Sequence, residues 1–121
     1  MTLLDSNIII YLSKGLISVD ELFDNSEEYS VSVITYMEVL GYEFETTKEK
    51  IFIEELLSYL NICYIDENIA KTVIQLKTQN KIKLPDAIIC ATAMANNATL
   101  ITNDVRLQNI ANLKLRLVGI D

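Results

Sequence analysis

Four acidic residues sit where solvated charges do not usually go. Asp5 follows the apolar pair Leu3-Leu4, and Glu38 lies within Val33-Ile34-Thr35-Tyr36-Met37-Glu38-Val39-Leu40-Gly41. Asp86 opens the apolar run Ala87-Ile88-Ile89-Cys90-Ala91, and Asp104 closes Leu100-Ile101-Thr102-Asn103-Asp104. Each has a plain alternative. Asp5 and Asp104 suit helix N-caps, Asp86 suits the positive end of a helix dipole, and Glu38 could snorkel from an edge or pair with a lysine. The set carries more meaning than its members. In an open α/β sheet, acids at two strand ends, at the start of a buried helix and on an inward helical stripe converge on the carboxyl edge, where ligands bind. Spacings of three, four and seven from Ile34 reach Met37, Glu38 and Gly41, which puts Glu38 on that inward stripe. Two carboxylates about 5 Å apart at an effective dielectric near 20 repel by roughly 3 kcal/mol. Such a cluster takes up protons or holds a hard cation, and all-oxygen ligands select Mg²⁺ or Mn²⁺ over Zn²⁺. The same repulsion leads to the expectation that Asp104→Asn stabilises the metal-free protein.

Composition narrows the chemistry further. The chain has no histidine, so imidazole bases, His-based triads and His-ligated zinc are excluded. Seventeen acidic against ten basic residues give a formal net charge of −7, which excludes a broad basic face. Any anionic substrate must be met locally. Cys63 and Cys90 lie in apolar surroundings and read as buried reduced thiols, which points to the cytoplasm. The opening Met1-Thr2-Leu3-Leu4-Asp5 carries an acid in its first apolar run and does not read as a signal peptide. No window approaches the roughly 18 apolar residues of a membrane span.

The elements that must position these acids follow from periodicity. The 121 residues, half of them hydrophobic, suit one domain that buries roughly two-thirds of its unfolded surface. One proline and three glycines leave little linker, so short turns should join regular elements. Strands are expected at Leu3–Leu4, Tyr29–Val33, Ile62–Ile65, Thr99–Thr102 and Leu115–Val118. Helical segments run from Ser6 to Ser13, from the capping-box sequence Ser18-Val19-Asp20-Glu21, and from Thr46-Thr47-Lys48-Glu49. Asp66 is positioned to cap a helix from Glu67 to Lys81 with Ile69, Val73, Ile74 and Leu76 inward. Pro85 starts a helix that is apolar nearly all round, which belongs in the middle of a packed layer. Strands alternating with helices predict a mainly parallel α/β sheet of about five strands with helices on both faces.

The chain resembles the PIN domains of the VapC-like toxin type over its whole length, residues 1–121. The resemblance rests on Leu4-Asp5-Ser6-Asn7, Ser32-Val33-Ile34-Thr35-Tyr36-Met37-Glu38-Val39, Leu84-Pro85-Asp86-Ala87-Ile88-Ile89-Cys90-Ala91-Thr92-Ala93 and Leu100-Ile101-Thr102-Asn103-Asp104, in order and at the right spacings. It implies an endoribonuclease dependent on Mg²⁺ or Mn²⁺, forming a homodimer and neutralised by a cognate antitoxin protein. It also implies that Asp5, Glu38, Asp86 and Asp104 are the catalytic and metal-holding acids, with Asp5 and Asp86 the direct ligands. Ser6, Asn7, Thr102 and Asn103 flank them, where hydroxyl and amide groups could order waters around the metal.

Two other readings remain open at this point. A receiver-like phosphoacceptor domain is also an Mg²⁺-binding α/β unit of this size, with Asp66 as its acceptor and Thr102 as its hydroxyl. A catalytically inactive PIN-like scaffold would bind partners only. Tyr42, Phe44, Phe52 and Tyr59 could furnish a dimer face, although such residues more often belong to a core.

Overall fold

Leu3 and Leu4 are neighbours in sequence and point to opposite faces of one sheet, each wholly buried. That alternation builds two cores. In the computed structural model, which describes residues 1–120, five strands and six helices succeed one another. They are β1 (Thr2–Leu4), α1 (Ser6–Ser13), α2 (Val19–Leu22), β2 (Tyr29–Ser32), α3 (Val33–Leu40) and α4 (Thr47–Ser58). Then follow β3 (Asn61–Cys63), α5 (Glu67–Gln79), α6 (Leu84–Ala95), β4 (Thr99–Thr102), a 3₁₀ turn at Val105–Asn109, and β5 (Leu115–Leu117). The strands lie in the order β3-β2-β1-β4-β5, and every pairing is parallel.

Leu3 and Leu100 pack with Ile69, Val73 and Leu76 of α5 and the Ala87–Ala93 stretch of α6. Leu4, Val31 and Ile101 pack on the other face with Ile8, Ile9 and Leu12 of α1 and Ile53 and Leu57 of α4. Burial of each such leucine or isoleucine stabilises by roughly 1.5–3 kcal/mol. The chain winds from β1 to β3 with α1 and α4 on one face, then returns to β4 and β5 with α5 and α6 on the other. Right-handed crossovers require that change of face. Helix α6 lies between α5 and the sheet, which is why it has no polar side, and Thr92 there returns its hydroxyl to Ile88 O at 2.7 Å.

Local signals explain most boundaries. Thr46 caps α4 through Glu49 N, and Asp66 caps α5 through Ile69 N at 2.8 Å. Gly15, at φ 72°, makes the left-handed turn after α1 that other residues avoid. Three expectations fail locally. Ser18 precedes a four-residue helix and makes no side-chain cap bond. Ile74 is 65% exposed, because the inward stripe of α5 is set by Ile69, Val73 and Leu76 and the next residue turns outward. Strand β3 stops at Cys63, leaving Tyr64 and Ile65 exposed. Phe44 and Phe52 pack against the α1/α4 core, whereas Tyr42 and Tyr59 are exposed. Both cysteines are free thiols. Among the described residues no helix is long and apolar enough to cross a membrane.

The strand order also separates this sheet from the receiver-like arrangement. There the third strand neighbours the first, in the order 2-1-3-4-5. Here β3 is an edge strand, and Asp66 beyond it serves as a helix cap. Asp66→Ala should therefore act on stability alone, costing about 1 kcal/mol in urea unfolding. An unchanged midpoint would show that the cap bond adds nothing.

Candidate active site

With β1 central, the winding direction reverses between β1 and β4, so the carboxyl ends of these two strands form the crevice where α/β sheets bind ligands. Asp5 follows β1 directly. Its amide continues the ladder to Ile101 O at 2.9 Å, which holds the residue at the edge of the crevice. Its carboxylate is almost fully buried and doubly engaged. Oδ1 accepts from Ser6 N at 2.7 Å as the N-cap of α1, and Oδ2 accepts from Thr102 Oγ1 at 2.6 Å. Capping and a place in the site are thus not alternatives for Asp5. Burial pushes its pKa up, the bonds from Thr102 and Ser6 counter this, and the charges of Asp86 and Glu38 raise it further.

Asp86 lies half-buried in the first turn of α6, and its pKa is raised by burial and then by Asp104, with Arg106 and Lys83 opposing. Asp104 behaves in the opposite way. Arg106 grips it with Nε at 3.0 Å from Oδ1 and Nη2 at 2.8 Å from Oδ2, and its backbone amide adds a third bond to Oδ1 at 3.0 Å. The guanidinium holds the Asp104 carboxyl below the usual carboxylate range. Cys90, one turn beyond Asp86, reports on the cluster. Burial first, then the charges of Asp5, Asp86 and Asp104, push its thiol up to about 12, so it stays protonated.

Glu38 is not on the inward stripe. Helix α3 starts at Val33 behind the Ser32 cap, which turns Thr35 and Val39 inward and leaves Glu38 exposed at the rim of the crevice. Its Oε1 accepts from Ser6 Oγ at 2.7 Å, and Ser6 Oγ lies 3.1 Å from Thr35 Oγ1. Thr102 accepts from the Asp104 amide at 3.0 Å while donating to Asp5, so one hydroxyl links two of the acids. Asn7 and Asn103 are used structurally: Asn103 N donates to Asn7 Oδ1 at 3.3 Å, and Asn103 Nδ2 donates to Val118 O at 2.8 Å. Sequence reasoning missed Arg106, whose one signal was a basic residue two places after an acid at a strand end.

The acids share an edge without forming a ready chelate. Among the described residues no three ligating side chains stand close enough together to hold an ion as they are. The donor chemistry nonetheless fits a hard divalent cation. Asp5 and Asp86 are partly desolvated carboxylates, the charge of Asp86 adds to the cost of ionising Asp5, and neither has a salt-bridge partner among the described residues. Asp104 would have to share its carboxylate with Arg106 to join them.

This contrast overturns the expectation that Asp104→Asn stabilises the metal-free protein. The lowered pKa of Asp104 contributes stability above its ordinary range that is lost as pH falls through the folded value. In EDTA at neutral pH, Asp104→Asn should lower the melting temperature, the loss of stability being about 1 kcal/mol or less because Arg106 is exposed. The raised pKa of Asp86 acts in reverse: stability is full below the ordinary carboxylate range and declines as pH rises through the folded value. Asp86→Asn should therefore raise the melting temperature at neutral pH, with the gain fading on acidification. Shifts of the same sign for the two variants would refute this assignment.

Comparison with known proteins agrees with the fold. The family model for the PIN domain matches residues 2–113. VapBC-1 from nontypeable Haemophilus influenzae is 32% identical, with 96% of each chain covered and a TM-score of 0.73. A toxin-antitoxin complex from Klebsiella pneumoniae is 29% identical over 96% of each chain, with a TM-score of 0.75. VapBC2 from Rickettsia felis, solved with a DNA fragment from its promoter, shares the fold at a TM-score of 0.83, with 23% identity over 98% of each chain. No curated protein matches. A family match over nearly the whole chain, on a five-stranded parallel sheet with acids at its point of reversal, establishes that this protein belongs to the PIN-domain family and is VapC-like.

Proposed function

We propose that the chain is an endoribonuclease dependent on Mg²⁺ or Mn²⁺ and the toxin of a toxin–antitoxin pair. It would act in the cytoplasm as a homodimer and be restrained by a cognate antitoxin protein. The observation that carries the nuclease reading is the pair Asp5 and Asp86, two partly desolvated carboxylates at the point where the sheet reverses, with no cationic side chain bonded to either. The toxin reading is supported by relatives from Haemophilus influenzae and Klebsiella pneumoniae that belong to toxin–antitoxin systems.

In this reading Asp5 and Asp86 would hold the ion, while Asp104 and Glu38 would ligate it through water or orient the water that attacks phosphorus. When bound, a divalent cation supplies Lewis acidity and positive charge for phosphodiester hydrolysis. Thr102 fixes the rotamer of Asp5, and Ser6 fixes that of Glu38. Hydrolysis adds water across one P–O bond, so no protein nucleophile is needed. The Cys90 thiol, protonated and buried, does not serve as one.

The test is cleavage of RNA with Mg²⁺, with EDTA, and by Asp5→Asn and Asp86→Asn. Activity should need the ion and fall at least about a hundredfold in each variant. Unchanged cleavage by both variants would remove these acids from the site. Absence of cleavage in folded, ion-bound wild-type protein would favour an inactive scaffold.

A further inference from the structure

A cavity of about 610 Å³ opens beside the site, and its wall holds Asp86 and Asp104 together with Lys77, Lys81, Lys83 and Arg106. Four of the ten basic residues of an acidic chain are thus gathered next to two of the candidate metal-holding acids. The opposite flank has a different character. The cleft bordered by Ser6, Glu38 and Glu43 contains no basic residue. The charge around the site is therefore one-sided.

The basic side is also organised. Lys77, near the end of α5, donates from Nζ to Ile82 O at 2.8 Å, tying the helix to the loop that carries Lys81 and Lys83. Those two lysines are exposed, and among the described residues neither forms a salt bridge. Arg106 forms the far wall with its fork on Asp104. The lysines are thus the groups available to a phosphate, beginning at Lys83, three residues before Asp86.

We propose that this groove holds the backbone of a single-stranded RNA on one side only of the bond to be cut. The strand leaves the carboxylates over Lys83 and Lys81 toward the end of α5. Beyond the cut, on the Glu38 and Glu43 side, it is met by like charge and is not gripped. A duplex is disfavoured because its second row of phosphates would face the acidic flank of Glu38 and Glu43, where like charge repels it. This inference rests on the nuclease reading for its substrate, and its test is made on binding as well as cleavage.

Fluorescence anisotropy of a labelled oligouridylate in EDTA reads binding without turnover. Lys81 and Lys83, with Lys77 still charged beside them although one of its donors is spent on Ile82 O, predict a shallow salt dependence, with a log–log slope near −2, from about 0.7 per phosphate contact on a single strand. Lys81→Ala/Lys83→Ala should flatten that slope by about 1.4 and weaken binding roughly tenfold, and should raise KM in Mg²⁺ while kcat changes little. Lys48→Ala/Lys50→Ala on α4 makes the same change in net charge away from the groove and should leave all three readouts unchanged. Equal effects from the two double variants, or none from the first, would overturn the groove, as would equal affinity for a matched RNA duplex. If Asp5→Asn and Asp86→Asn abolish cleavage while the groove variant behaves as wild type, the groove fails and the nuclease stands. If nothing is cleaved while the groove variant still loses RNA, the groove stands and the nuclease fails.

Discussion

The Thr102 hydroxyl donates to the Asp5 carboxylate and accepts from the Asp104 amide, and on this one buried group the geometry of the crevice depends. It binds the end of β1 to the end of β4, two strands that the sequence separates by almost a hundred residues and that pair in register from Thr2 with Thr99 to Leu4 with Ile101. Hydrogen bonds to a charged group contribute about 1.5–3 kcal/mol, whereas a buried carboxylate left without them costs several times the value of an ordinary contact. Asp5 can be both ionisable and hidden only because Thr102 and Ser6 together supply what water would have supplied. The helix that follows inherits its start from the same carboxylate, so the scaffold and the site cannot be separated at this residue.

Around that fixed point the charges are treated unequally, and the inequality is informative. Asp104 is neutralised by its own chain, while Asp5 and Asp86 are left partly dehydrated with no ion pair. Proteins seldom tolerate that without a reason, since each such group weakens the fold at neutral pH. Arg106 and Lys83, the latter at the α5–α6 corner, bear on Asp86 and lower its pKa only in part. An acidic molecule can thus offer a local welcome to an anion while repelling it elsewhere.

Much of this was legible in the order of residues. The alternation of short aliphatic runs with capped helices announces the sheet, and Asp66 and Thr46 perform the capping their spacing suggests. The four acids are recognisable because each interrupts an apolar context. What spacing alone did not reveal is rotation. Glu38 lies only one place from the buried Val39, and a helix start set by Ser32 decides which of the two faces in. Ile74 is misread beside Val73 for the same reason. The grip of Arg106 on Asp104 was also missed, because it depends on a 3₁₀ turn whose geometry five residues without glycine or proline do not advertise. Strand order was beyond periodicity too: short parallel strands carry no label of their neighbours.

The two strands at the margins of the sheet, Asn61–Cys63 and Leu115–Leu117, are only three residues long, and the latter carries Arg116 at its centre. Unpaired strand borders are where identical chains zip together into disordered precipitates. Here each border exposes too little backbone to seed such growth, and a net charge of −7 opposes non-specific association. Neither margin of the sheet therefore offers a long template for the addition of a further strand.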